Sequence, residues 1–86
     1  MMIKERVREL LVQNFGSKAS LVQKLLDQDD FVKRGIFNSF ELINIVLLIE
    51  HEFNIKVDVA DLANERLSSF EKIEQLVAHK SGLSKM

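Results

Sequence analysis

The run Gly35-Ile36-Phe37-Asn38-Ser39-Phe40-Glu41-Leu42 sets a serine just after a glycine-containing loop and at the mouth of a strongly apolar segment. Asn38 is a favoured N-cap residue and Glu41 follows three positions later, so the spacing predicts a capping box and a helix beginning at about Ser39. A side chain in the first helical turn points away from the chain behind it. A phosphate attached there would sit at the partly positive helix end, near N–H groups that have no partner within the helix. Ser39 is thus suited to carry an anion and to be displayed for modification. Read alone, the same four residues also serve as a plain helix start, since such caps are common.

The search for catalysis within the chain comes back nearly empty. Ser39 has no base evident in the sequence and no G-x-S-x-G oxyanion loop, so it reads as a substrate serine rather than an activated nucleophile. His51 and His79 are far apart and belong to no HExxH-type pattern. With no cysteine, disulfides, thiolate metal sites and an intrinsic nucleophilic thiol are excluded. Glycines stand only at 16, 35 and 82, which leaves no phosphate-cradling loop or dinucleotide fingerprint. Asp27, Asp29 and Asp30 invite a calcium reading. Counting from Asp27, however, an EF-hand would need a ligand, a glycine and a glutamate where Phe31, Val32 and Asn38 stand. The chain is expected not to be an enzyme.

The elements that must position Ser39 follow from hydrophobic periodicity. From Phe40 to Phe53 the sequence is FELINIVLLIEHEF, in which Leu42, Val46, Ile49 and Phe53 define one buried stripe of a helix over 39–53. Phe40, Ile43 and Leu47 fall on another side, with Ile43 and Leu47 one and two steps of four beyond Ser39. A helix apolar nearly all round is either enclosed by neighbours or offers a surface to a partner, and both readings stay open for Ile43 and Leu47.

Around this helix the pattern predicts an all-α fold. Ile3, Val7, Leu10 and Leu11 share one face of a helix over about 2–14, with Lys4, Glu5, Arg6, Arg8 and Glu9 turned to water and Gly16 as the stop. Residues 17–38 form a long connection in which Leu21, Val22, Leu25 and Leu26 suggest a short helix over 20–26. Phe31, Ile36 and Phe37 are its expected pins to the core. Ile55, Val57 and Val59 alternate and can drop into the core, and Asp58 caps a short helix over 58–64 with Asp61 as its weak reciprocal partner. The last helix, about 69–81, is announced by a Ser68-Ser69-Phe70-Glu71 box and the face Phe70, Ile73, Leu76 and Val77. Lys80 suits its C-terminal dipole and Gly82 its stop.

Size and charge set outer bounds. The 86 residues form one domain, 1–86, with room for a modest core but not for a deep catalytic cleft as well. A net charge of −1 and the absence of a basic stripe disfavour nucleic-acid binding, including a helix-turn-helix reading. The longest apolar run, Ile45 to Ile49, is far short of the roughly 20 residues that cross a bilayer. The N-terminus alternates charge too closely for a signal peptide, so membrane insertion is not expected and a cytoplasmic location is.

The stretch GIFNSFELINIVLLIEHEFNIKV resembles the phosphopantetheine-attachment region of acyl carrier proteins, and most closely the stand-alone D-alanyl carrier proteins, without a gap from Gly35 through Phe53. The resemblance covers most of the chain, but only the region around Ser39 is diagnostic. It implies a small antiparallel four-helix bundle, monomeric, with a long loop between the first two main helices and a short third helix that moves as cargo is sheltered or delivered. It also implies that Ser39 carries 4′-phosphopantetheine, placed from coenzyme A by a magnesium-using phosphopantetheinyl transferase. An ATP-dependent acyl or aminoacyl ligase, or a synthase, then loads the arm's thiol, and downstream acyl-transfer enzymes take the thioester. By the same resemblance Asn38, Phe40, Glu41, Ile43, Leu47 and Glu50 form the surface that these partners recognise. Phe40 leans slightly toward the aminoacyl type over fatty-acid synthesis. Two departures stand out: Asn38 where the family usually has aspartate, and Lys33-Arg34 where many carriers are acidic. Either is compatible with a specialised transferase, or with a carrier-fold interaction module that has lost its arm.

Overall fold

The computed structural model describes residues 3–81, and among them the secondary structure is helical, with no strand. The described residues form α1 (Ile3–Asn14), α2 (Ala19–Lys24), α3 (Ser39–Phe53), α4 (Val59–Ala63) and α5 (Phe70–Ser81), with a 3-10 turn at Gly16–Lys18 between α1 and α2. α1 is the hub, packing against α2, α3 and α5. It buries Ile3, Val7, Leu10 and Leu11, the face that its periodicity dictates.

The flanks of α1 are less free than expected. Lys4 lies 3.1 Å from Asp27, and Arg6 pairs with Glu52 of α3 at 2.7 Å and with Glu9. Arg8 donates to the Val22 carbonyl at 2.6 Å and stands 4.4 Å from the centre of the Phe70 ring. Long basic stems can lie along apolar surface while their heads reach partners, which is why these residues fasten α1 to its neighbours instead of turning to water. Gly16 does not end α1. The helix closes at Asn14, and Gly16 opens the 3-10 turn.

The connection from α2 to α3 is held by aromatic rings. Val22 and Leu25 are buried while Leu21 and Leu26 stay exposed. Phe31 is fully buried, edge-on to Phe37 and Phe70 at centroid distances of 5.5 and 5.1 Å. Its N–H donates to the Ser68 carbonyl at 2.7 Å, and its carbonyl accepts the Ile36 N–H at 2.8 Å. Gly35 has φ 71°, a left-handed conformation that glycine adopts without a side-chain penalty, and the turn returns Ile36 and Phe37 to the core.

In α3 the inward face is centred on Ile45 and Ile49, both fully buried. Leu42, Val46 and Phe53 of the expected stripe are half-buried around them, together with Leu48. Asn54, at φ 53°, ends the helix in a left-handed turn, with its N–H donating to the Glu50 carbonyl. α4 starts at the Asp58–Asp61 box, whose two reciprocal bonds are 3.0 and 2.9 Å long. Ile55 and Val57 pack on the core, but Val59 is 80% exposed because the extended alternation stops where α4 begins.

The cap of α5 also differs from expectation. Ser69, not Ser68, is the cap: its Oγ accepts the Lys72 N–H at 3.1 Å and its carbonyl accepts from Ile73 at 2.9 Å. Ser68 is buried, donates its hydroxyl to the Glu65 carbonyl and gives its own carbonyl to Phe31, while the Glu71 N–H goes to the Asp27 carbonyl. A local carbonyl at Glu65 and a distant one at Asp27 have taken the donors that a Ser68–Glu71 box requires. Lys80, expected to serve the α5 dipole, reaches across to Asp61 at 2.9 Å and Asp58 at 3.4 Å. Gly82 lies outside the described residues.

Phe31→Ala is expected to lower the unfolding free energy by about 3–5 kcal/mol, the usual cost of emptying a buried aromatic site. Val59→Ser, on exposed surface, should stay within about 0.5 kcal/mol. Denaturant unfolding of both variants checks the pair, and a Phe31→Ala loss no larger than that of Val59→Ser contradicts the pinning role.

Candidate functional site

The start of α3 brings a closed cap and an open hydroxyl together. Asn38 is extended, at φ −95° and ψ −179°. Its Oδ1 accepts the Glu41 N–H at 2.9 Å, and its own N–H donates to Glu41 Oε1 at 2.9 Å. The Asn38 carbonyl accepts from Leu42 at 3.0 Å, the first rung of the helix ladder. The amides of Ser39 and Phe40 precede the ladder and find no backbone partner among the described residues. Ser39 is exposed, and its hydroxyl makes no hydrogen bond among the described residues.

Below the serine, Ile43 and Leu47 are 53% and 58% exposed, and Phe40 beside it is 81% exposed. Side chains spaced by four share a helix face, so Ser39, Ile43 and Leu47 form one line on successive turns. These are large apolar groups in water, next to the one free hydroxyl of the helix start. The two acidic positions behave differently. The Glu41 carboxylate takes the Lys18 ammonium at 2.8 Å, and Glu50 accepts the Val57 N–H at 2.8 Å, which ties the segment after α3 back onto the helix. Both glutamates are half-buried.

Lys18 is the residue that sequence reasoning missed. It donates to the Ile36 carbonyl at 2.6 Å and to Glu41 Oε1 at 2.9 Å, across a separation of 23 residues from Glu41, and no local pattern signals such a contact. The Lys18 ammonium, followed by the Asn38 amide, holds the Glu41 carboxyl below the usual glutamate range despite its partial burial.

Ser39 borders two hollows. One, of about 240 Å³, lies between the loop and the α4–α5 link, with Val32, Leu42, Leu62 and Leu67 as apolar lining and Asp30 and Glu65 as acidic lining. The other, of about 430 Å³, is bounded by Lys18, Ile36 and Phe37. The three loop aspartates are engaged in local structure: Asp27 pairs with Lys4 and Arg8, Asp29 accepts the Leu26 N–H, and Asp30 accepts from Val32 and Lys33. No group of three or more metal-ligating side chains occurs among the described residues. His51 and His79 are both exposed, on α3 and α5. No helix among the described residues is long and apolar enough to cross a membrane.

No protein-family model, curated protein or solved structure was found to match the chain.

Because the folded state holds Glu41 below its ordinary value, the ionised carboxylate stabilises the fold above that value, and the contribution is lost as pH falls through the folded value. Glu41→Gln is expected to destabilise the chain at about pH 7, with the gap to the unsubstituted protein narrowing as pH falls below the ordinary glutamate range. Urea unfolding across this range checks the sign. A gap that does not change with pH contradicts the Lys18–Glu41 interaction as its cause.

Proposed function

We propose that the chain is an acyl or aminoacyl carrier: a small antiparallel bundle of acyl-carrier type, cytoplasmic and monomeric, on which Ser39 bears 4′-phosphopantetheine. The observation that carries this reading is the exposed, unbonded Ser39 hydroxyl at the first position of a capped helix, in line with the exposed Ile43 and Leu47. A long pinned connection between α1 and α3 and a short α4 before α5 support it, because the resemblance implies both.

The surroundings of Ser39 fit a phosphodiester. The open amides of Ser39 and Phe40 and the positive end of α3 favour an anion at this point. Hollows on both sides leave room for an extended substituent without displacing a buried side chain. When bound, the group supplies a flexible arm ending in a thiol, the thioester chemistry that a chain without cysteine lacks. The bundle itself catalyses nothing in this reading.

The remaining work falls to the α3 surface. Phe40, Ile43 and Leu47 give apolar contact to the phosphopantetheinyl transferase, to the ATP-dependent ligase or synthase and to downstream acyl-transfer enzymes. Glu41 and Glu50 flank that surface. Since both carboxylates are half-buried and already hydrogen-bonded, apolar contact outweighs charge steering here. Asn38 preserves the serine's turn, so the departure from aspartate removes a charge and leaves the cap intact. That missing charge, with Lys33-Arg34 next to Gly35, favours a second reading, an unmodified interaction module that uses the same apolar face.

Incubation with coenzyme A, magnesium and a broad-specificity phosphopantetheinyl transferase separates the two. Intact mass should rise by one phosphopantetheine in the unsubstituted chain and not in Ser39→Ala, whose stability should stay within about 0.5 kcal/mol of the parent. No mass increase with several transferases, including one from the same cell, overturns the carrier reading in favour of the module.

A further inference from the structure

The acceptor turn is clamped from a distant part of the chain. Lys18 closes the 3-10 turn after α1, and its ammonium donates to the Ile36 carbonyl at 2.6 Å and to the Glu41 carboxylate at 2.8 Å, while lying 5.3 Å from the centre of the Phe37 ring. Ile36 stands three residues before Ser39 and Glu41 two after it, so one cation joins both sides of the serine. Glu41 passes the restraint on, because the same carboxylate accepts the Asn38 N–H. Lys18 forms no hydrogen bond with the Ser39 hydroxyl, and its side chain is partly exposed, outside the buried core. α3 retains its own cap without it, through Asn38 and Glu41. The restraint that Lys18 adds therefore falls first on the turn carrying the serine, beside the stability that its pairing with Glu41 gives the fold.

We infer that Lys18 is a positioning residue for modification of Ser39, acting through the Ile36 carbonyl and the Glu41 carboxylate; the inference rests on the carrier reading. In the step it serves, the Ser39 oxygen forms a P–O bond to the β-phosphorus of coenzyme A and the pyrophosphate P–O bond breaks. Adenosine 3′,5′-bisphosphate leaves with the electron pair, and the hydroxyl proton passes to a base on the transferase. Lys18 acts before this step, by raising the fraction of molecules in which residues 36–41 hold the geometry that the transferase engages. When only a fraction of molecules is competent, apparent affinity falls in proportion to that fraction, so the effect belongs in KM and not in kcat.

The test is steady-state transfer from coenzyme A by a broad-specificity phosphopantetheinyl transferase, with the carrier concentration varied, for the unsubstituted chain, Lys18→Met, Lys18→Gln and Lys18→Arg. Circular dichroism confirms that each is folded at the assay temperature. Lys18→Met and Lys18→Gln should raise KM about five-fold with kcat held within about two-fold, and Lys18→Arg, which keeps the charge and the donors, should restore KM to within about two-fold. A purely structural role predicts a lower melting temperature with KM unmoved. Unchanged KM in both neutral variants, or a defect that arginine does not relieve, overturns the inference and leaves the carrier reading standing. No transfer to the unsubstituted chain overturns the carrier reading, and the inference with it.

Discussion

Between α2 and α3 the chain runs from Leu25 to Asn38 without a helix, and the burial of Phe31 holds that crossing against the bundle. Its ring meets Phe37 on one side and Phe70 on the other, and its backbone bonds both to the residue before the α5 cap and to the turn at Ile36. Burying one phenylalanine is worth about 1.5–3 kcal/mol, and each edge-on ring pair adds about 0.5–1.5. Ordering the backbone costs about 1–2 kcal/mol per residue, so Phe31 alone cannot fix the whole crossing. It succeeds because Leu25 and Phe37 are buried with it and the loop's amides find partners in its own turns. Ser39 inherits its position from this arrangement, since the last pinned ring, Phe37, is two residues away.

The start of α3 reconciles two demands on one short segment. A helix end must satisfy its first amides, and serine is itself a good cap that would turn its hydroxyl inward to do so. Here Asn38 takes the cap and moves the serine one position into the helix, where the hydroxyl faces outward with no internal acceptor to meet. Glu41 completes the box and is itself matched by Lys18, so this end of the helix presents less net negative charge than the sequence suggests. A free hydroxyl in a fixed place is the outcome of giving the neighbouring side chains of Asn38, Glu41 and Lys18 other tasks.

The parts legible in the sequence are those governed by neighbours along the chain. The Asn38–Glu41 box, the Asp58–Asp61 box and the buried face of α1 follow from spacings of three and four, whereas spacing set Ile43 and Leu47 on a face of their own and only the packing of α3 shows that face exposed. Long-range competition hid the rest. Ser68 has the right spacing to Glu71, but the Glu65 carbonyl takes the Ser68 hydroxyl and N–H and the Asp27 carbonyl takes the Glu71 N–H, and the cap moves to Ser69. Ile45 escaped notice because a stripe drawn through Leu42 and Val46 is half a face away from the true centre, which only the position of α1 fixes. Lys18 reads as an ordinary loop lysine until the fold brings the turn after α1 beside α3.

The two walls of the smaller hollow beside Ser39 are built on different physics. On the loop side the backbone is fixed by Phe31 and Phe37, buried apolar anchors that carry no titratable group. On the other side stand Leu62 at the end of α4 and the link residues Glu65, Leu67 and Ser68, of which Leu67 and Ser68 are buried, while the only buried residue of α4 itself is Asp61. What fastens α4 is charge and hydrogen bonding: Asp61 to Lys80 at 2.9 Å, Arg66 to Asp61 at 3.8 Å, and the Val57 N–H to Glu50 just before it. The Asp61 carboxylate, with Asp58 behind it, holds the Lys80 ammonium above its usual range against the opposing effect of burial. Removing two charges from water offsets much of their attraction, so such a pair fixes geometry better than it adds stability. A helix with little buried apolar surface belongs to the low-stability end of a fold. The hollow is therefore bounded by a loop wall held by packing and by a second wall in which the buried Leu67 is joined to a helix end placed by charge and hydrogen bonding.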